Sequence, residues 1–197
     1  SPDSSFVREA LGKGLLSQDR QSINPLKFGV IASTDTHLGT PGAVDESSFQ
    51  GHGGAGKSFR SSIPEGLPDD IEFNPGGLAV AWAEENSRSS IYNALRRKES
   101  FATSGPRMTI RFFAGYELDA TKINDADLVE HLYAVGKSMG SDLDGVAKNT
   151  PSFFVWAIRD SYTAPLQRVQ IIKGYVDSNG SPQEQVFDVA CSDGGSP

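Results

Sequence analysis

A change of hydrophobic pattern near Gly105 and Pro106 constrains the fold of this chain more than any other feature. Before it, helix-like and strand-like segments alternate. Helices are predicted for "SSFVREALGKGLLSQDR" and "NSRSSIYNALRRKESF", and buried strands for "FGVIA" and "GLAVAWA". The resulting order of helix, strand, long loop, strand and helix is typical of part of an α/β architecture with parallel strands.

After this point strands dominate the sequence. They are predicted for "RMTIRFFAGYEL", "PSFFVWAIRD", "RVQIIKGYVD" and "EQVFDVACS", and one short helix is predicted at about 125–135. Apolar and polar residues alternate in the last two strands, which favours a β-sandwich-like arrangement. We therefore divide the chain into an α/β part, residues 1–105, and a β-rich part, residues 106–197.

The segment 38–77 has no hydrophobic periodicity, and nine of its residues are glycine. Loops of this length are uncommon and often form binding loops or lids. Residues 51–58, "GHGGAGKS", fit the phosphate-binding pattern G-x-x-x-x-G-K-[ST]. However, polar residues precede the pattern and Pro64 follows it closely, so the strand and helix that a nucleotide site needs are missing. A flexible glycine-rich loop is the favoured interpretation, and nucleotide binding is the third alternative for the function.

Composition excludes some partners and leaves the compartment open. The formal net charge is −7 and the isoelectric point is about 4.9, which argues against a nucleic-acid partner. No segment approaches the roughly 18 apolar residues of a membrane span, so we expect a soluble chain without a membrane partner. A single cysteine, Cys191, excludes an intrachain disulfide and fits both a cytoplasmic and an exported protein.

Asp35 and His37 stand where "FGVIA" ends and the long loop begins. In an extended strand the side chains of residues i and i+2 point to the same side. Carboxylate and imidazole suit Zn²⁺, Mn²⁺ or iron, and α/β proteins place their sites at the carboxyl ends of strands. The alternative is structural, with Asp35 capping a turn and His37 bonded to backbone.

Other residues could complete a site. His52 and Glu46, both in the long loop, are further metal-ligand candidates, whereas His131 is interpreted as a helix-surface residue. Ser104 and Arg107, at the Gly-Pro turn, could bind an anionic substrate group because arginine offers a planar donor fork. A structural hinge between two domains is the alternative at this turn.

Four stretches of the chain together resemble a known family. They are "NPLKFGVIASTDTH", "GGLAVAWAEENSRSSIYNALRRKESFATSGPRMTIRFF", "GKSMGSDL" and "PSFFVWAIRDSYTAPLQRVQIIKGYVDSNGSPQEQVFDVA". In this order they resemble the C-terminal part of the domain-of-unknown-function 3604 family, in the polymerase and histidinol phosphatase (PHP) superfamily. The resemblance implies a distorted β/α, TIM-like barrel with a two- or three-metal hydrolytic site, followed by a small β domain. It also implies a metal-ligand role for Asp35 and His37, whose stretch is similar to the superfamily's last metal-binding motif.

The chain departs from the PHP pattern at the early metal ligands. It contains three histidines and no His-x-His motif, and it has fewer strands than a barrel needs. We therefore expect residues 1–105 to be the last strands and helices of a PHP-like barrel, and the chain to be a fragment that is inactive alone. The intact protein would hydrolyse a small-molecule phosphoester or related ester by a metal-bound hydroxide.

Two further expectations concern assembly. An open barrel edge is a surface that pairs with other chains, so we expect a homo-oligomer formed through that edge. The alternative function is that of a non-catalytic binding or oligomerisation module.

Overall fold

The computed structural model describes residues 6–36, 39–42, 76–145 and 150–192. These residues divide between two compact units, the first from segments 1–28 and 165–197 and the second from 29–164. In chain order the elements are α1 (Val7–Gln21), β1 (Leu78–Ala81), α2 (Arg88–Arg96), β2 (Ser100–Thr103), β3 (Thr109–Gly115), a 3₁₀ helix (Ala120–Asn124), α3 (Leu128–Val135), β4 (Lys137–Ser138), β5 (Ser152–Ile158), β6 (Arg168–Val176) and β7 (Pro182–Cys191). None of the helices described is long and apolar enough to cross a membrane.

The first unit is a helix packed on a β-hairpin. Helix α1, which was predicted from the spacing of its apolar residues, is confirmed. The helix ends at Ser22, which has a left-handed backbone conformation and donates a hydrogen bond from its N–H to Gln18 O at 2.9 Å. Strands β6 and β7 are also confirmed and pair antiparallel, with α1 against both. The hairpin turn is held by Asp177 Oδ1, which accepts from the N–H groups of Asn179 and Ser181 at 2.9 Å each.

The second unit contains a two-stranded sheet, β1–β2, and a three-stranded sheet in the order β4–β3–β5. Strands β3 and β5 are antiparallel over seven residue pairs, from Thr109–Ile158 to Gly115–Ser152. The core lies between this sheet and α3, where Phe113, Leu128 and Leu132 are buried. Its position follows from sequence, because the α3 leucines are four residues apart and so share one helix face.

The strand predicted for "FGVIA" is wrong: residues 28–32 form no strand in the structure. Phe28, Val30 and Ile31 are exposed, the last to 61%. β-Branched residues favour a strand only when a neighbouring strand covers them, and no strand in the described part of the chain pairs with this segment.

The parallel pairing predicted around α2 is also wrong for the strands that are described. β1 pairs antiparallel with β2, with Leu78 opposite Thr103 and Ala81 opposite Ser100. Because Ala81 and Ser100 face each other, α2 and its connections bring the chain back to the same end of the sheet. A parallel crossover would return it to the opposite end. The domain boundary near Gly105 and the β-sandwich-like arrangement stay predictions.

Candidate functional site

Asp35 is presented on a left-handed backbone turn that its neighbours hold in place. Its φ angle is 56°, a conformation that asparagine and aspartate adopt more readily than other non-glycine residues. Thr34 Oγ1 accepts from the N–H of Gly77 at 2.8 Å, and Thr36 Oγ1 accepts from the N–H of Gly76 at 3.1 Å. The two threonine hydroxyls lie 3.0 Å apart. The exposed Asp35 carboxylate therefore projects from a fixed backbone.

The other predicted metal ligands, His37, His52 and Glu46, lie outside the described residues, as does the glycine-rich stretch 51–58. Within the ranges that are described, no group of three or more His, Cys, Asp or Glu side chains could hold a metal ion. Of the predicted ligand set the structure therefore describes one member, Asp35, whose carboxylate is a suitable donor for Zn²⁺ or Mn²⁺.

Arg107 binds carbonyl groups at the start of the long loop. Its Nη1 donates to Gly42 O at 3.3 Å and its Nη2 to Pro41 O at 3.0 Å. Its backbone N–H donates to Asp160 Oδ2 at 2.7 Å. Ser104 is exposed. The role of Arg107 and Ser104 in substrate binding stays a prediction, and the contacts of Arg107 show it fastening the loop to the Gly-Pro turn.

A cleft in the second unit brings together charged and aromatic side chains that sequence reasoning had not connected. Its volume is about 440 Å³. Five parts of the fold contribute to it: the residues after β1, the segment between α2 and β2, strand β3, helix α3 and strand β4. The lining residues are Trp82, Ala83, Glu84, Arg97, Glu99, Arg111, Tyr133 and Ser138.

Glu99 is the most deeply buried charge of this cleft, with 2% of its surface exposed. Its Oε1 accepts a hydrogen bond from the Tyr133 hydroxyl. Its Oε2 accepts from Arg97 Nε at 3.4 Å and Nη2 at 3.3 Å. A buried carboxylate is costly unless it is paired and hydrogen-bonded, and both oxygens of Glu99 have partners.

Arg97 is itself shared between two carboxylates. Its Nη2 lies 2.9 Å from Glu84 Oε1 and also donates to Trp82 O at 3.4 Å. Glu84 is placed by Ser90, whose hydroxyl donates to Glu84 Oε2 at 2.7 Å. That hydrogen bond is the main cause that lowers the pKa of Glu84, so this carboxylate is charged at neutral pH.

Arg111 lies across the ring face of Trp82, with its guanidinium carbon 3.5 Å from the ring centre. Its Nη1 donates to the Tyr133 hydroxyl at 3.1 Å. The Trp82 ring is fixed in turn, because its Nε1 donates to Ile110 O at 2.9 Å. Tyr133 packs edge-on against the core residue Phe113, with ring centres 5.0 Å apart. Both aromatic neighbours of Arg111 are thus anchored.

The protonation state of Tyr133 follows from its surroundings. Burial raises the pKa of the Tyr133 hydroxyl above its ordinary value of 10.0, and the hydrogen bond to Glu99 raises it further. The hydroxyl therefore remains protonated at neutral pH and donates to Glu99 while accepting from Arg111. This fixes the direction of every hydrogen bond in the series Arg111, Tyr133, Glu99.

Sequence reasoning missed this cleft because its members are distant in the chain: Tyr133 lies 34 positions from Glu99 and 22 from Arg111. The available signal was Glu99 itself, a glutamate directly before the apolar strand "SFAT", at a position where a carboxylate needs a buried partner.

A family model described as "Protein of unknown function (DUF3604)" matches residues 1–197. The chain belongs to the DUF3604 family. The predicted membership of this family is therefore confirmed. Neither a curated protein nor a solved structure shows a significant match to the DUF3604 chain.

Proposed function

We propose that this DUF3604 chain contributes the late metal ligands of a PHP-like metal-dependent hydrolase that acts on a small-molecule phosphoester or related ester. In this proposal residues 1–105 correspond to the last part of a distorted β/α barrel. The support is the order of the four stretches that resemble the superfamily, together with the conformation of Asp35.

The conformation of Asp35 is the observation that carries the proposal. A left-handed backbone at a residue other than glycine costs free energy and persists only where the surrounding contacts fix it. Thr34 and Thr36 provide such contacts on either side of Asp35. Gly77 fits closely against Thr34, since a Cβ atom at Gly77 would lie 2.6 Å from Thr34 Oγ1. Strained residues of this kind cluster at functional sites.

The residues present fit a divalent metal in part. Asp35 would hold it through a carboxylate oxygen, and His37, two residues further on, would add an imidazole nitrogen. When bound, such a metal activates water and polarises the ester. The chain's own contribution is to hold Asp35 in place and to fasten the start of the long loop through Arg107.

Isothermal titration with Zn²⁺ and with Mn²⁺ tests the proposal. A complete structural zinc site with four ligands has a binding free energy of about 10–16 kcal/mol. We expect one site on this chain, and we expect it to bind far more weakly than that. Binding should be lost in Asp35→Asn and in His37→Asn and retained in the control His131→Asn. Binding that survives both substitutions, or no binding by the unaltered chain, would contradict the assignment. Tight binding of two metals would show that the chain holds a complete ligand set.

A second candidate, homo-oligomerisation, is favoured by the exposed apolar segment 28–32. Val30 and Ile31 are 42% and 61% exposed, and Ser100 Oγ donates to Val30 O at 2.8 Å. A second copy pairing along this segment would cover both side chains. Sedimentation velocity should show a dimer for the unaltered chain. The substitution Ile31→Lys should convert it to a monomer, whereas the control substitution Ile123→Lys should leave the dimer intact. A monomer at all concentrations would exclude this candidate.

A further inference from the structure

The two arginines of the cleft differ in how their charge is balanced. Arg97 pairs with two carboxylates, those of Glu84 and Glu99. Arg111 has no carboxylate partner within 4.0 Å among the residues that the structure describes. Its charge is stabilised by the face of Trp82 and by the Tyr133 hydroxyl. The cleft therefore contains one guanidinium suited to an anion from outside.

The hydrogen-bonding capacity of Arg111 is only partly used. An arginine side chain carries five N–H donors in a planar fork. In the part of the chain that is described, the one bond from its guanidinium is from Nη1 to Tyr133. A carboxylate matches the spacing of two parallel donors on such a fork, and this bidentate geometry is among the stronger charge-assisted pairings.

Arg111 is also held in position before any ligand arrives. The Tyr133 hydroxyl lies between Arg111 and Glu99, since it accepts from Arg111 and donates to the Glu99 carboxylate. Arg111 therefore does not pair directly with Glu99. Trp82, over which the guanidinium lies, is fixed by its own bond to Ile110 O. A binding group that is already ordered loses less conformational entropy on binding, so its affinity is higher.

Charge and size indicate which anion would fit. The cleft is lined by two glutamates and two arginines, so its formal charge is zero before a ligand binds. A singly charged carboxylate would pair with Arg111 and bring the formal charge of the cleft to −1, whereas a phosphate dianion would bring it to −2 close to Glu84 and Glu99. The volume of about 440 Å³ lies within the range of small-molecule sites. Trp82, Ala83 and Tyr133 offer apolar surface for the rest of the ligand.

We propose that this cleft binds a small organic monocarboxylate, with its carboxylate paired to the Arg111 fork and its apolar body against Trp82 and Tyr133. The proposal does not depend on a metal at Asp35, so each can fail without the other.

The test is isothermal titration of the chain with benzoate, against benzamide as its neutral counterpart and inorganic phosphate as the competing oxyanion. Benzoate should saturate with a dissociation constant of roughly 1 mM or below, with benzamide and phosphate at least about tenfold weaker. The proposal is overturned if benzoate does not bind, if benzamide binds as well as benzoate, or if phosphate binds more tightly. These comparisons use the unaltered chain and need no variant to fold.

Variants then assign the binding to Arg111. Arg111→Gln removes the charge and should abolish benzoate binding, and Arg111→Lys keeps the charge without the fork and should weaken it. The matched control is Arg159→Gln, at an exposed arginine whose Nη1 contacts Thr163 O. Far-ultraviolet circular dichroism identifies folded variants. Unchanged benzoate binding by folded Arg111→Gln would refute the assignment.

Discussion

The Tyr133 hydroxyl donates a hydrogen bond to the buried Glu99 carboxylate across 34 positions of sequence. This bond links helix α3 to the residue that precedes strand β2, and so joins the three-stranded sheet and its helix to the smaller sheet. The second unit therefore depends in part on a polar contact between its two sheets. Its loss should be measurable in several ways.

Tyr133→Phe should destabilise the protein by about 1–3 kcal/mol, because the buried Glu99 carboxylate loses one of its two hydrogen-bonding partners among the described residues and keeps Arg97. Urea unfolding followed by circular dichroism gives the free energy of unfolding. The control is Tyr92→Phe, at an exposed tyrosine whose hydroxyl accepts a long hydrogen bond of 3.5 Å from Arg96 Nη1. Equal effects of the two substitutions would show that the Glu99 bond contributes nothing.

The same pair predicts a loss of stability at alkaline pH. The pKa of Tyr133 is raised in the folded state, so the folded protein holds this proton more tightly than the unfolded chain. Its contribution is therefore complete below the unfolded value of 10.0 and is lost as pH rises through the folded pKa. The difference in unfolding free energy between the unaltered chain and Tyr133→Phe should stay constant at neutral pH and narrow as the pH rises above about 10. A constant difference would contradict the raised pKa.

Ser90→Ala should cost about 1–2 kcal/mol, because the Ser90 hydroxyl is buried and accepts from two backbone N–H groups, those of Glu84 and Glu85. The control is Ser89→Ala in the same helical turn, where the serine is exposed and its hydroxyl lies 3.3 Å from that of Ser87. Thermal unfolding of both variants provides the comparison. If Ser89→Ala costs as much as Ser90→Ala, helix propensity rather than the buried hydroxyl explains the loss.

Asp35→Gly and Asp35→Ala together separate backbone strain from the role of the carboxylate. Both remove the proposed metal ligand, but only alanine keeps a Cβ at a φ of 56°. We expect the glycine variant to be more stable than the alanine variant by about 1 kcal/mol, measured by urea unfolding. Neither should bind Zn²⁺. Equal stability would mean that the turn relaxes when Asp35 is replaced.

The sequence predicted correctly those helices and hairpins that are stabilised by contacts between residues close together in the chain. Helix α1 follows from the spacing of Val7, Leu11 and Leu15, and the β6–β7 hairpin from its alternation and from the turn at Asp177. "FGVIA" has the same local signature as a buried strand, but Ile31 is exposed because strand formation requires a partner that the segment's own sequence does not encode.

The two candidate sites differ in the same way. Asp35 could be singled out from sequence as a candidate metal ligand, because its position after an apolar run and its spacing to His37 are local features, and its metal role stays a prediction. The left-handed backbone of Asp35 could not, since it depends on Gly76 and Gly77, more than forty residues later. The cleft around Glu99 could not be predicted for the same reason. The partners of the buried carboxylate are distant in sequence and come together only in the folded protein.

The ends of the glycine-rich segment meet in space. The Gly42 N–H donates to Gly76 O at 2.6 Å. Just before the segment, the hydroxyls of Thr34 and Thr36 accept hydrogen bonds from the N–H groups of Gly77 and Gly76 at its other end. Closing a longer loop costs little additional entropy once its ends are fixed. A change in the length of segment 43–75 should therefore cost little stability as long as the contacts that join its two ends persist.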